Sequence, residues 1–191
     1  MVNIEIKDTQ TSDGGKFFVD DIRFVVNGQE VTNLCTLQAA CDIDFTFENT
    51  EKPAVGKCPK GWTCEGDAQL AYRDFYGPLD EDSVQGSWWF NVGRDAATGR
   101  AATNSFVIPP GTTALRFKRC GGSHTGSGLY VYRTSDSLLI CKDEDGRKLD
   151  KFFEVSTCDN LSAYVGTMVN IEIKDTQTSD GGKFFVDDIR F

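Results

Sequence analysis

Seven cysteines and a single histidine are the side chains in this sequence whose spacing could carry chemistry most directly. Cys35 and Cys41 have five residues between them, and so do Cys58 and Cys64. Zinc-binding pairs stand closer, roughly two to four residues apart, and His124 alone completes no Cys/His set. Disulfides fit this spacing better, and they need an oxidising compartment. The expected bridges are Cys58–Cys64 and Cys35–Cys41, with the first pinning Trp62 beside a strand at 43–48. Cys120, Cys141 and Cys158 are left to supply a third pair and one thiol over. His124 stands in Gly121-Gly122-Ser123-His124-Thr125-Gly126-Ser127-Gly128. Such a loop clasps a ligand or an anion, or simply connects two strands. A strained Gly-x-Ser-x-Gly elbow is missing, as are a P-loop and a dinucleotide fingerprint. Nothing marks two of the carboxylates as a buried pair with split pKa values. The chain therefore reads as a non-enzyme.

Charge narrows the partners. The 191 residues carry 29 acidic and 20 basic side chains, a net charge of −9. Such a chain is a poor match for a phosphate backbone, so no nucleic acid is expected. No apolar run approaches the roughly 20 residues that span a bilayer, so membrane insertion is not expected either. The start lacks the basic region and apolar stretch of a secretory leader, and the sequence reads as a piece of a longer protein.

The elements that must position these residues are strands. Met1 to Phe24 recurs unchanged as Met168 to Phe191, an offset of 167. Two origins fit: a tandem array of near-identical units, or a deliberate duplication. Within each copy, Val2-Asn3-Ile4-Glu5-Ile6-Lys7 alternates apolar and polar as a half-buried strand does. Thr11-Ser12-Asp13-Gly14-Gly15 makes a turn, and Lys16 to Phe24 makes a second strand. The same hairpin is expected at 169–174 and 183–191. Between the copies, strands are expected near 43–48, 68–75, 87–92, 103–108, 113–119, 128–133, 137–141 and 151–156. Pro109-Pro110-Gly111 and Asp143-Glu144-Asp145-Gly146 supply turns. Residues 25–44 read as a linker, with a helical turn or two at Leu34 to Ala40. Short strands at even spacing argue for an all-β sandwich or barrel.

Several of these segments resemble one family in order. Phe45-Thr46-Phe47-Glu48-Asn49 followed by Gly61-Trp62 is similar to its opening strand. Gly86-Ser87-Trp88-Trp89-Phe90, Phe106-Val107-Ile108-Pro109, Leu115-Arg116-Phe117 and Ser127-Gly128-Leu129-Tyr130-Val131 follow. Leu161-Ser162-Ala163-Tyr164-Val165-Gly166, then Val169 to Ile173, Asp175, and Gly181 to Ile189 resemble its closing hairpin. The family is the galactose-binding-like, MAM-like jelly roll, found in carbohydrate-binding modules and secreted modular proteins. The resemblance covers 45–191 and implies an antiparallel jelly-roll β-sandwich, more than any one function. It also implies that the last strand lies beside the first. The two identical hairpins would then compete for one place, and the C-terminal copy, which follows Gly166 directly, is expected to win.

The resemblance further implies a structural calcium ion between the opening Glu and the last strand's Asp. Carried over by position, these are Glu48 and Asp187, with Asp188 as the alternative. Backbone carbonyls near 49–52 and waters would complete the six to eight oxygens that calcium takes. The alternation Phe185, Asp187, Ile189, Phe191 places Asp187 on an apolar face, where an uncompensated charge is costly. Sugar-binding jelly rolls use aromatic platforms, because sugar rings have apolar faces. Trp88, Trp89, Tyr76, Tyr130, Tyr132 and His124 are the candidates here. Trp88 and Trp89 are adjacent, so one of the two must face inward.

These readings converge on a non-catalytic extracellular repeat, structural or adhesive, from a secreted or cell-surface protein. Neighbouring repeats or copies of itself are its expected partners. A polysaccharide-binding module is the alternative, and self-assembly by exchange of the duplicated hairpin is a second.

Overall fold

The computed structural model of the chain describes residues 24–26, 29–31, 43–48, 56–72, 84–93, 96–121, 125–144, 152–178 and 184–191. The chain divides into two compact units, Met1–Leu34 and Cys35–Phe191. In the first unit, β1 (Phe24–Val26) pairs antiparallel with β2 (Gln29–Val31), running from the last residue of the duplicated segment into the stretch read as linker.

The second unit is an antiparallel jelly-roll β-sandwich. Its first sheet runs β10 (Leu138–Asp143), β9 (Ser127–Arg133), β12 (Met168–Asp175), β6 (Gly99–Thr103), β3 (Trp62–Gly66), with β7 (Phe106–Val107) also paired to β12. The second sheet runs β11 (Glu154–Cys158), β8 (Leu115–Gly121), β13 (Phe184–Arg190), β5 (Trp88–Gly93), β4 (Gln69–Tyr72). A short 3₁₀ helix, Leu161–Tyr164, precedes β12. The C-terminal copy of the repeat thus supplies the middle strand of each sheet.

Alternation decides the interior. Val169, Ile171 and Ile173 of β12 meet Phe184 and Val186 of β13, Leu129 and Val131 of β9, and Leu115 and Phe117 of β8 in one core. Burying such side chains stabilises by roughly 1.5–3 kcal/mol each, which is what holds the two sheets face to face. A second, smaller core lies on the other side of the second sheet, where Ala71, Val84, Trp89, Cys120, Phe153 and Phe185 are buried together.

One disulfide closes each open side of the sandwich. Cys141 on β10 bonds Cys158 on β11, joining the edge strands of the two sheets. On the opposite side, Gly56 and Lys57 exchange backbone hydrogen bonds with Leu70 of β4. Cys58, next in the chain, bonds Cys64 on β3 with 5.8 Å between Cα atoms. Cys120 is buried in the smaller core. Cys35 and Cys41 lie outside the described residues.

The expected strand at 43–48 is a turn instead. Asp44 Oδ1 accepts hydrogen bonds from Phe47 N at 2.8 Å and from Thr46 N at 3.2 Å, and Phe47 has φ of 64°. A short acidic side chain that caps nearby amides gives the backbone an alternative to a ladder. β3 was not among the expected strands, and its Trp62 packs at this turn: Nε1 donates to Asp44 O at 2.9 Å, and its ring lies 5.9 Å from Phe47. The last strand does lie against this opening segment, through Ile189 N donating to Phe45 O at 3.0 Å.

Candidate functional site

Glu48 and Asp187 reach the same stretch of backbone from two elements. Glu48 Oε1 accepts from Ser87 N and Trp88 N, both at 2.8 Å. Asp187 Oδ2 accepts from Gln85 N at 2.7 Å. Gly86, between these donors, has φ of +72°, and a Cβ there would stand 2.4 Å from the Glu48 carboxylate. Only glycine combines that conformation with so close an approach. Gly86 stands just ahead of the strand expected at 87–92, and the geometry makes it the residue that admits Glu48.

Asp187 is fully buried, and its Oδ1 has no hydrogen-bond partner. Burial, reinforced by the neighbouring Asp188, raises its pKa to about 7 against the opposing Gln85 amide and Lys118. The expected alternation through Ile189 is broken here. A register shift between Asp187 and Arg190, with Asp188 at φ of 51°, turns Ile189 into the main core. A bulge of this kind adds one residue and reverses the faces that follow. Asp188 does not join Asp187: its Oδ1 accepts from Arg190 Nε at 2.6 Å. No group of three or more His, Cys, Asp or Glu side chains suited to a metal occurs among the described residues.

The aromatic candidates separate. Trp89 is fully buried in the smaller core, 6.1 Å from Phe153, so it offers no platform to a ligand. Trp88 packs partly against the main core and edge-on to the exposed Tyr72 at 4.9 Å, so the two rings keep part of their surface open at the edge of the second sheet. Trp89 faces the smaller core, whereas Trp88, at the start of β5, stays part-exposed at the rim of the main core. Tyr76 and His124 lie outside the described residues.

Tyr130 and Tyr132 do come together, on the outer face of the first sheet. Their rings are stacked, 6.3 Å apart with 14° between planes. Lys174 Nζ stands 4.2 Å from the Tyr130 ring, within cation–π range. Burial, and then the adjacent Glu144, hold the Tyr130 phenol well above its ordinary pKa. Tyr130 is thus consumed by packing, and the half-buried Tyr132 carries the aromatic surface of this face. Across the same face Glu172 accepts from Arg100 Nε at 2.8 Å, and Arg100 also reaches Glu65 at 3.3 Å. Those side chains border an open groove of about 350 Å³ lined by Glu65, Thr98, Arg100, Lys174, Asp175 and Thr176.

Arg119, fully buried, donates to Asp143 Oδ1 at 2.8 Å from the opposite sheet, and Ser156 Oγ donates to Asp143 Oδ2. Nearby in the ladder, Ser127 Oγ donates to Asp175 Oδ1 at 2.6 Å. Asp143 sits in an acidic, glycine-containing run that reads as a turn, so its inward position left no signal in composition.

No family model and no curated protein matches this sequence. Solved structures share its fold. A Stig cyclase from Fischerella sp. TAU matches at a TM-score of 0.53 with 15% identity, over 78% of this chain and 94% of that one. The K1 adhesin domain of Lys-gingipain from Porphyromonas gingivalis W83 matches at 0.45 with 13% identity, over 75% and 93%. TmCBM61, solved in complex with β-1,4-galactotriose, matches at 0.40 with 16% identity, over 67% and 85%. The likeness to the cyclase supports the fold and carries no activity, since one architecture hosts many functions.

Proposed function

We propose that this chain is a non-catalytic extracellular module, structural or adhesive, whose contact surface is the outer face of the first sheet. The observation that carries this reading is the pair of disulfides, Cys58–Cys64 and Cys141–Cys158, one at each open side of the sandwich. Bridges of this kind persist in oxidising surroundings outside the cell. The exact internal repeat agrees, because repeated modules gain reach and avidity. Buried acids and bases are engaged with one another or with backbone amides at Arg119–Asp143 and at Glu48 with Ser87 and Trp88.

Calcium belongs to this reading. The buried, unpartnered Oδ1 of Asp187 fits a cation, which would compensate its charge. Glu48 would join it by giving up an amide. Carbonyl oxygens and waters would supply the remaining ligands.

A second reading, a carbohydrate-binding module, is favoured by one observation: Tyr132 lies half-buried beside a face of paired carboxylates and guanidinium groups with an adjoining groove. A panel of glycans and polysaccharides, screened with and without calcium, separates the two. A structural or adhesive module gives no saturable sugar binding. Saturable binding that Tyr132→Ala abolishes would replace the first reading with the second.

A further inference from the structure

The duplicated segment and the place its C-terminal copy fills together name a partner. Met168–Phe191 contains β12 and β13 entire. β12 lies between β9 and β6, and β13 between β8 and β5. Val169, Ile171, Ile173, Phe184, Val186 and Ile189 put the segment's apolar side chains into the main core at 0–3% exposure. The sequence Met1–Phe24 carries the same side chains in the same order, as Val2, Ile4, Ile6, Phe17, Val19 and Ile22.

We propose that Met1–Phe24 is an interchangeable occupant of the β12–β13 place, and that the sandwich it completes belongs to a second copy of this chain. The two segments are identical, so contacts cannot choose between them and the tether must. A molecule's own C-terminal copy follows the 3₁₀ helix after Val165, Gly166 and Thr167. A tether this short holds an effective concentration in the millimolar range, so the closed molecule dominates in dilute solution. When the C-terminal copy cannot fold in, the N-terminal copy of a neighbour takes the place. Each completed neighbour still offers its own, which makes a head-to-tail assembly.

The position of the two strands sets when this happens. Neither is an edge strand, so no finished sheet edge accepts the incoming hairpin. Entry requires both sheets to be open at their middles, while the two disulfides close both sides of the finished sandwich. Exchange is therefore settled as the chains fold and oxidise, and it does not occur by addition to completed molecules.

The test uses the full chain with one copy or both disabled. Ile171→Pro removes a backbone N–H that donates to Thr103 Oγ1 at 2.9 Å in a middle strand, and Val186→Asp puts a charge in the core. Together they disable the C-terminal copy; Ile4→Pro with Val19→Asp disables the N-terminal one. After oxidative refolding, the C-terminally disabled chain should keep a cooperative melt and both disulfide linkages. Its mass by light scattering should be at least double the monomer's and should rise with concentration. The N-terminally disabled chain should be a folded monomer, and the chain with both copies disabled should lose the melt and the linkages. Two results overturn the proposal. If the C-terminally disabled chain is as unfolded as the doubly disabled one, the N-terminal copy cannot fill the place. If it is a folded monomer at every concentration, the partner is not a second copy.

Discussion

Asp143 and Asp187 are both buried carboxylates, and their surroundings treat them in opposite ways. Asp143 receives the Arg119 guanidinium on one oxygen and the Ser156 hydroxyl on the other. Asp187 accepts from the Gln85 amide on Oδ2, and its Oδ1 has no hydrogen-bond partner. The first region is complete without anything added. The second leaves one oxygen open to a proton, a water or the proposed cation. Both lie on strands of the same sandwich, so burial alone does not separate them. What separates them is that Arg119 bonds Asp143 directly, whereas Lys118 acts on Asp187 only through its charge.

The largest expected effect comes from breaking the completed region. Asp143→Ala leaves the fully buried Arg119 without its carboxylate, and should cost about 3–5 kcal/mol in a urea unfolding titration. The paired replacement Arg119→Met with Asp143→Leu should recover much of that loss, because the desolvation of both charges disappears with them. A loss under about 1 kcal/mol for the single change would mean that the ion pair is not what makes Asp143 tolerable, and the contrast with Asp187 would fall.

How much of this was legible depends on what each position needed. The C-terminal hairpin was legible because Val169, Ile171 and Ile173 alternate with polar neighbours on a strand whose outer side is open. Cys58–Cys64 was legible because the partners are only six residues apart in the chain. Cys141–Cys158 was left open among three cysteines, since which two meet depends on the adjacency of β10 and β11. The strand expected at 43–48 failed because Asp44 bonds the amides after it, a local competition that apolar periodicity does not register. Trp89 failed as a ligand platform because a second small core covers the far side of β5. A two-layer picture has no place for that core. The pairing of Arg119 with Asp143 joins strands of different sheets, and nothing in linear spacing encodes it.

A smaller effect follows from the incomplete region, and its sign is fixed by the pKa. The folded value for Asp187 is about 7, above the roughly 3.9 of an unfolded aspartate. The folded state therefore holds this proton more tightly. Its contribution is fully present below about pH 4, declines as the pH rises through the range up to 7, and is constant above it. In chelated protein the decline should amount to roughly 2–4 kcal/mol relative to Asp187→Asn, read as the difference between the two stability–pH curves. Added calcium should return the wild type towards the stability of its protonated form at neutral pH and leave Asp187→Asn unmoved. Parallel curves for the two proteins in chelator would show that Asp187 is compensated after all, and the two regions would no longer differ.

The smallest effect sharpens the comparison by one neighbour. Asp188 adds to the raised pKa of Asp187 by charge, but less than burial does. It is itself paired with Arg190 at 2.6 Å, a partner whose side chain is 63% exposed. Asp188→Asn keeps a residue that tolerates the left-handed backbone at φ of 51° and removes the charge. Losing so exposed a pair should cost less than about 1 kcal/mol. The informative reading is the midpoint of the Asp187 transition in chelator, which should move towards acid by less than burial moves it the other way. A midpoint that does not move would assign the whole perturbation to desolvation. A midpoint that falls to the ordinary carboxylate range would make the acidic pair, and not burial, the main cause of the raised pKa.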